Sequence, residues 1–184
     1  MQSIISDLCK VNPPEDEERH FPEDDFIDLV TGAQYFLHRH LSAEVGITTH
    51  IHIFKRWSSK ELDLLGLESV TTHLAALALD SSGQPDYWFV VNQWVVGDYW
   101  LPAEETIELF RGWSFSKAER QKNTKYGFWH EWVANQINKS LETDIFSLLN
   151  ERDRILDQLV DTKPGENVLE DRSIEVICCS RMNF

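Results

Sequence analysis

His50 and His52 stand two positions apart in Gly46-Ile-Thr-Thr-His-Ile-His-Ile-Phe54, a segment otherwise made of the β-branched and aromatic residues that favour sheet. On an extended strand, side chains at i and i+2 point the same way, about 6.5–7 Å apart at Cα, so two imidazoles there can reach one metal ion. A third ligand from a facing strand would leave coordination positions open for water or substrate. His73 is the candidate third ligand. A four-residue loop at 81–84, within the turn Asp80-Ser-Ser-Gly-Gln-Pro85, would pair Asp80 with Pro85 and hence His73 with Asn92. That places an imidazole beside an amide on one face. Whether it is also the His50/His52 face depends on register, since a slip of one residue reverses every side chain. The constellation is therefore His50, His52 and His73 around zinc or iron, both suited to imidazole, with Asn92 orienting a ligand and Trp94 walling the site. The competing reading is a set of half-buried polar side chains hydrogen-bonded to backbone or carboxylates.

Other candidates carry less chemistry. Arg172, in Glu170-Asp171-Arg172 with Glu175 nearby, could bind a substrate carboxylate or phosphate, or could lock the tail onto the sheet by an ion pair. Trp88, Trp94 and Trp100 recur every six residues, so on one extended strand they share a face, as an aromatic ligand platform or as core. Cys178 and Cys179 are adjacent, so on a strand they point to opposite faces and read as packing residues. His130-Glu131 begins like a helical zinc-protease signature, but Ala134 stands where the second histidine is needed. There is no Gly-rich phosphate loop, no Gly-x-Ser-x-Gly elbow and no Cys-x-x-Cys pair.

These residues need a scaffold, and the patterning predicts one. From Asp24 to Leu41 the apolar residues Phe26, Leu29, Val30, Ala33, Phe36, Leu37 and Leu41 follow a helical stripe. Residues 47–55 alternate as a strand, with His50, His52 and Phe54 on one face and Ile51 and Ile53 on the other. Residues 56–68 read as a polar connection with a helical turn around Leu62–Leu65. A strand over 69–80 follows, weakened by its alanines. Residues 87–95 read as a central strand covered on both faces, with a bulge or tight turn at Gly97-Asp98. Pro102 opens a helix with Glu104 and Glu105 near its positive end, and 112–126 reads as loop. The helical period returns from Phe128 to Asp161, in one helix or two broken near Ser140, and Thr162-Lys-Pro-Gly165 stops it. Ser173–Cys178 is the last strand. The expected class is α+β: an antiparallel sheet of at least three to four strands with helices packed against it.

With 184 residues the chain reads as a single domain over 1–184, with an acidic extension at 1–23 that includes a short helix over 1–10, and a globular core over 24–180. A formal net charge of -14 argues against binding a nucleic-acid backbone or an anionic membrane surface, which need clustered Lys and Arg. Three cysteines make no disulfide framework and fit a reducing cytoplasm. The start of the sequence lacks the basic and apolar regions of a signal peptide, and no window of about 18 apolar residues suggests a membrane span.

The pieces His50-Ile-His-Ile-Phe54, 72–85, 91–100 and 168–176 resemble an uncharacterised family of bacterial proteins known only as a domain of unknown function. The matching positions are His50, His52, Phe54, His73, Leu74, Asp80, Gly83, Pro85, Asn92, Trp94, Val95, Trp100, Glu170, Asp171, Arg172, Glu175 and Val176. Gln93 stands where relatives often carry Arg, and Asp98 where they often carry Glu. The resemblance spans most of 46–176, leaves the charged N-terminal third outside, and implies no activity. The expectation is thus a cytoplasmic protein with a histidine-lined ligand or metal site on the sheet face. The alternatives are a non-catalytic acidic interaction protein docking another protein, and a metal-free binder of a small molecule in an aromatic-lined pocket.

Overall fold

Alternating β-branched, aromatic and alanine residues build six strands in the computed structural model, which describes residues 20–39, 49–58, 70–80, 82–122 and 124–181. They are β1 (His20–Ile27), β2 (Ala33–Arg39), β3 (Thr49–Arg56), β4 (Thr71–Leu79), β5 (Pro85–Val91) and β6 (Val176–Arg181). Every neighbouring pair is antiparallel and the spatial order is β1-β2-β3-β4-β5-β6. The first five strands form a meander. All the described helices lie in the connection from β5 to β6: α1 (Gln93–Val96), α2 (Ala103–Phe110), α3 (Lys117–Lys122), α4 (Thr124–Ser140) and α5 (Phe146–Thr162). The class is α+β, an antiparallel sheet with helices packed against it. The helix expected over 1–10 and the turn at 62–65 lie outside the described residues.

Where a helix is expected over 24–41, the described residues up to Arg39 form a β-hairpin. Thr31-Gly32 decides this, because Gly32 has a positive φ of 72° and a Cβ there would fall 2.2 Å from the carbonyl oxygen of Arg56. Only glycine permits that approach of the turn to β3. Asp28 closes the hairpin: its buried carboxylate accepts the N–H of Val30 at 2.9 Å and also that of Ser116. Leu29 and Val30, which complete the helical stripe on paper, sit 83% and 80% exposed at the turn tip.

Ala33, Tyr35, Ile51, Ile53, Leu74, Ala75, Leu77, Leu79, Trp88 and Val90 form the sheet's contribution to the main core, under the helix layer. α2 adds Ile107 and Phe110; Asp153 of α5 accepts the N–H of Ala103 at 2.6 Å and so caps the start of α2. Trp129, Val133, Ile137, Leu141, Ile145 and Leu149 bury one stripe at a strict spacing of four residues. An α-helical stripe of that spacing drifts by about 40° per step. A π-helical turn over Leu141–Ile145, between α4 and α5, winds it back toward the sheet. Of the two expectations, one helix or two broken near Ser140, this turn supplies the break, and α5 ends at Thr162, one residue past the expected Asp161.

Three further expectations are corrected. Residues 112–126 hold α3 and the start of α4. The strand expected over 87–95 ends at Val91, where Asn92 caps α1 through its side chain and Gly97, at φ 62°, terminates it. Trp88, Trp94 and Trp100 therefore share no face, lying on β5, on α1 and in the following loop. At the 81–84 turn Leu79 pairs with Pro85, but past a shift between Ala78 and Leu79 the ladder runs Ala78–Tyr87, Leu77–Trp88 and Ala76–Phe89, the register that an Asp80–Pro85 pairing implies.

Candidate metal centre

Gln34, Phe36 and His38 of β2, His50, His52 and Phe54 of β3, and Ala76 and Ala78 of β4 belong to the face turned away from the main core. Cross-strand register sets His38 beside His50, Phe36 beside His52, and Ala78 and Ala76 beside the same two histidines on the other flank. The small alanines leave room for the imidazoles, so the composition that weakened the β4 reading is what the site needs.

His73 reaches this face through a defect in the ladder. Strict alternation from Ala76 and Ala78 would send Leu74 here and His73 under the helices. The pairing steps instead from Ile53–Ala75 to Phe54–His73, so β4 carries one extra residue. Leu74 and Ala75 both enter the main core, and the parity of His73 is reversed. The segment after α1 props up the bulge: Tyr99 donates its N–H to Thr71 at 2.8 Å, and the Asp98 carboxylate accepts the N–H of His73 at 2.8 Å.

The imidazoles form a chain. Nε2 of His50 lies 2.9 Å from Nε2 of His52, and Nδ1 of His52 lies 3.1 Å from Nε2 of His73. His38 approaches edge-on, its ring 5.3 Å from that of His50. One ring nitrogen from each of His38, His50 and His52 falls within 4.8 Å of the other two, which makes these three a group able to share an ion. Two nitrogens bound at about 2.0–2.1 Å to one ion sit roughly 3 Å apart, close to the His50–His52 separation. His50 and His52 are thus brought together as expected, while His73 faces the other nitrogen of His52. His38 was missed because the helix assigned to its segment hid its strand parity. The signal was present in the alternation of Gln34, Phe36 and His38 after Thr31-Gly32.

Aromatic rings enclose the group. Phe36 lies 5.0 Å from His52 and stacks 5.5 Å from Phe54; Phe89 meets His50 at 5.4 Å, and Phe54 meets His73 at 5.0 Å. His50, His52 and His73 are buried and His38 is half-buried, so the group opens on the His38 side. Burial, reinforced by the positive charge of Arg152, pushes His73 down to about 3, so it is neutral at ordinary pH. Burial also pushes the Asp98 carboxyl up to about 6, against the N–H of His73 and the charge of Arg152. Asp98 Oδ1 has no hydrogen-bond partner among the described residues.

The other sequence candidates lie at the end of β5, on α1 and in the α5–β6 connection. Asn92 is fully buried; its amide donates to the carbonyl of Val168 at 3.0 Å, and its oxygen accepts the N–H of Gln93 at 2.9 Å. Trp94 donates to the carbonyl of Ile174 at 2.9 Å, and the Arg172 guanidinium lies over its ring at 5.3 Å. Lys163 and Asp171 make the ion pair there, at 2.5 Å. These contacts stitch the α5–β6 connection onto α1. Cys178 is half-buried, its thiol pushed up to about 12 by burial, and Cys179 is exposed, so the two do point apart. No helix among the described residues is long and apolar enough to cross a membrane.

No curated protein and no solved structure matches the chain. One family model does, over residues 1–182, so the match takes in the charged N-terminal third as well as the histidine strands. The chain belongs to the family described as Domain of unknown function (DUF6969).

Proposed function

We propose that this protein binds one metal ion through His38, His50 and His52, and that zinc is the ion. The observation that carries this reading is the convergence of three imidazole nitrogens within 4.8 Å on one buried sheet face, with the His50–His52 pair at 2.9 Å. Without an ion, two ring nitrogens that close need a proton between them. With an ion, both lone pairs are used and the desolvation of the rings is offset by coordination. The group contains three neutral ligands and no carboxylate. That donor set suits zinc better than the two-histidine, one-carboxylate pattern of open iron sites.

Three protein ligands would leave a four-coordinate ion one position for water or a small ligand. An ion there would act as a Lewis acid, lowering the pKa of bound water toward about 7 or polarising the oxygen of a small ligand. The surrounding rings of Phe36, Phe54 and Phe89 would keep bulk water away and strengthen both effects. Two free thiols, Cys178 and Cys179, support a reducing cytoplasmic setting.

Elemental analysis of the purified protein, with competition against a chromophoric zinc chelator, tests the reading. One zinc per chain is expected in the wild type, lost in His50→Ala and His52→Ala while their circular dichroism is unchanged. Wild-type protein that takes up no zinc or iron would sink the proposal and leave the histidines as a hydrogen-bonded polar network.

A further inference from the structure

A histidine can ligate an ion through Nε2 only if its proton is on Nδ1, and that proton needs an acceptor when the ring is buried. Nε2 of His52 faces His50 and the shared ion position, and Nδ1 faces Nε2 of His73 at 3.1 Å. Nothing in the strand pattern requires His73 to be there: β4 spends an extra residue, against its own alternation, to turn that ring onto the histidine face. A side chain from a different element, Asp98, secures the bulge by taking the backbone N–H of His73 at 2.8 Å. The His73 ring is then held between Phe54 at 5.0 Å and His52 at 5.1 Å.

We infer that His73 is the positioning residue of the metal centre, accepting the Nδ1 proton of His52 so that Nε2 of His52 is presented to the ion; the inference rests on the three-histidine metal reading. His73 thereby keeps its own proton on Nδ1 and does not ligate. The bulge at Leu74 and the Asp98 carboxylate behind it are the devices that fix this tautomer. A partner of this kind strengthens metal affinity by roughly 10–100-fold in comparable sites.

Three measurements test this on the full chain with Zn(II) and Co(II) as probes. Long-range 15N–1H spectra of zinc-loaded wild type should show the His52 proton on Nδ1; a proton on Nε2 of His52 would overturn the inference without any mutation. His73→Phe fills the space but offers no acceptor, and should lose about 10–100-fold in zinc affinity with a shifted Co(II) visible spectrum. His73→Gln, whose side-chain oxygen can accept the same proton, should recover most of that affinity, which a packing role for the ring would not predict. Wild-type affinity in His73→Phe, or no recovery in His73→Gln, overturns the assignment. If wild type binds zinc, His50→Ala does not and His73→Phe equals wild type, only the positioning role fails. If wild type takes up no metal, the reading beneath it fails.

Discussion

His130 and His52 are both buried, on opposite faces of one sheet, and their surroundings differ in kind. On the helix side, the His130 ring stacks on Phe115 at 4.0 Å with only 2° between the planes, meets Phe26 edge-on, and shares a 3.1 Å hydrogen bond with the Tyr35 hydroxyl. It is one imidazole in an aromatic core, with a phenol to satisfy it. On the other side, His52 spends both ring nitrogens on other imidazoles. Such a chain can place only one proton in each contact, so it holds nitrogen lone pairs close together with nothing but protons or an ion to separate them. Burial of a polar ring therefore does not mark a site. What marks one is several identical ligands converging where a mixed set of donors and acceptors would be easier to satisfy.

The two faces should separate under mutation. The largest effect is expected on the helix side. Phe110 is fully buried in the main core, and Phe110→Ala should cost about 3–5 kcal/mol in urea unfolding. The folded fraction should still bind zinc with unchanged affinity, because Phe110 packs in the main core, on the other side of the sheet from the histidine chain. Coupled loss of stability and affinity would show that the two faces are one unit.

Acid should reveal the helix-side histidine next. Burial pushes His130 down to about 4 from 6.5, against the pull of the Glu119 and Asp28 carboxylates. Between those values the unfolded chain binds a proton that the folded chain does not. Stability is therefore fully present above about pH 6.5 and falls as pH drops toward 4, by about 3 kcal/mol at most. Unfolding in the presence of a chelator should show a shallower acid slope for His130→Gln than for wild type. Equal slopes would place the acid sensitivity elsewhere.

His38 tests which imidazole completes the centre. It is half-buried and paired across from His50, so His38→Ala should lower zinc affinity by more than about 10-fold and change stability by less than about 1 kcal/mol. Retained affinity here, with complete loss in His73→Phe that glutamine does not rescue, would make His73 the ligand and redraw the face.

How far this was visible in the letters depends on local period. His50 and His52 were legible because their strand alternates cleanly, and the π-turn region because its stripe is long. The β1–β2 hairpin was not. Leu29 and Val30 are apolar for a turn, and together with Phe26, Ala33 and Phe36 they satisfy a helical period that the chain never uses. Gly32 held the contrary information, but its meaning lies in the approach of Arg56, which is a tertiary fact. The face of His73 was open for a similar reason. A bulge is a non-local decision, set here by Asp98 and the segment beside it, and no count of residues along β4 contains it.

The smallest expected effect concerns Arg172, which the sequence offered with Asn92 and Trp94 as a ligand contact. Arg172 is exposed and lies over the Trp94 ring at 5.3 Å, a cation–π contact of about 0.5–1 kcal/mol at the most. The Trp94–Ile174 and Asn92–Val168 hydrogen bonds and the Lys163–Asp171 pair all remain when it is removed. Arg172→Ala should therefore shift the unfolding midpoint only slightly and leave zinc affinity untouched. A large loss of affinity for a small anion presented to the zinc-loaded protein would instead bring Arg172 into the site. That would require the Arg172 guanidinium to leave the Trp94 ring for the histidines, whereas the described contacts of its connection tie it to α1 and the end of β5.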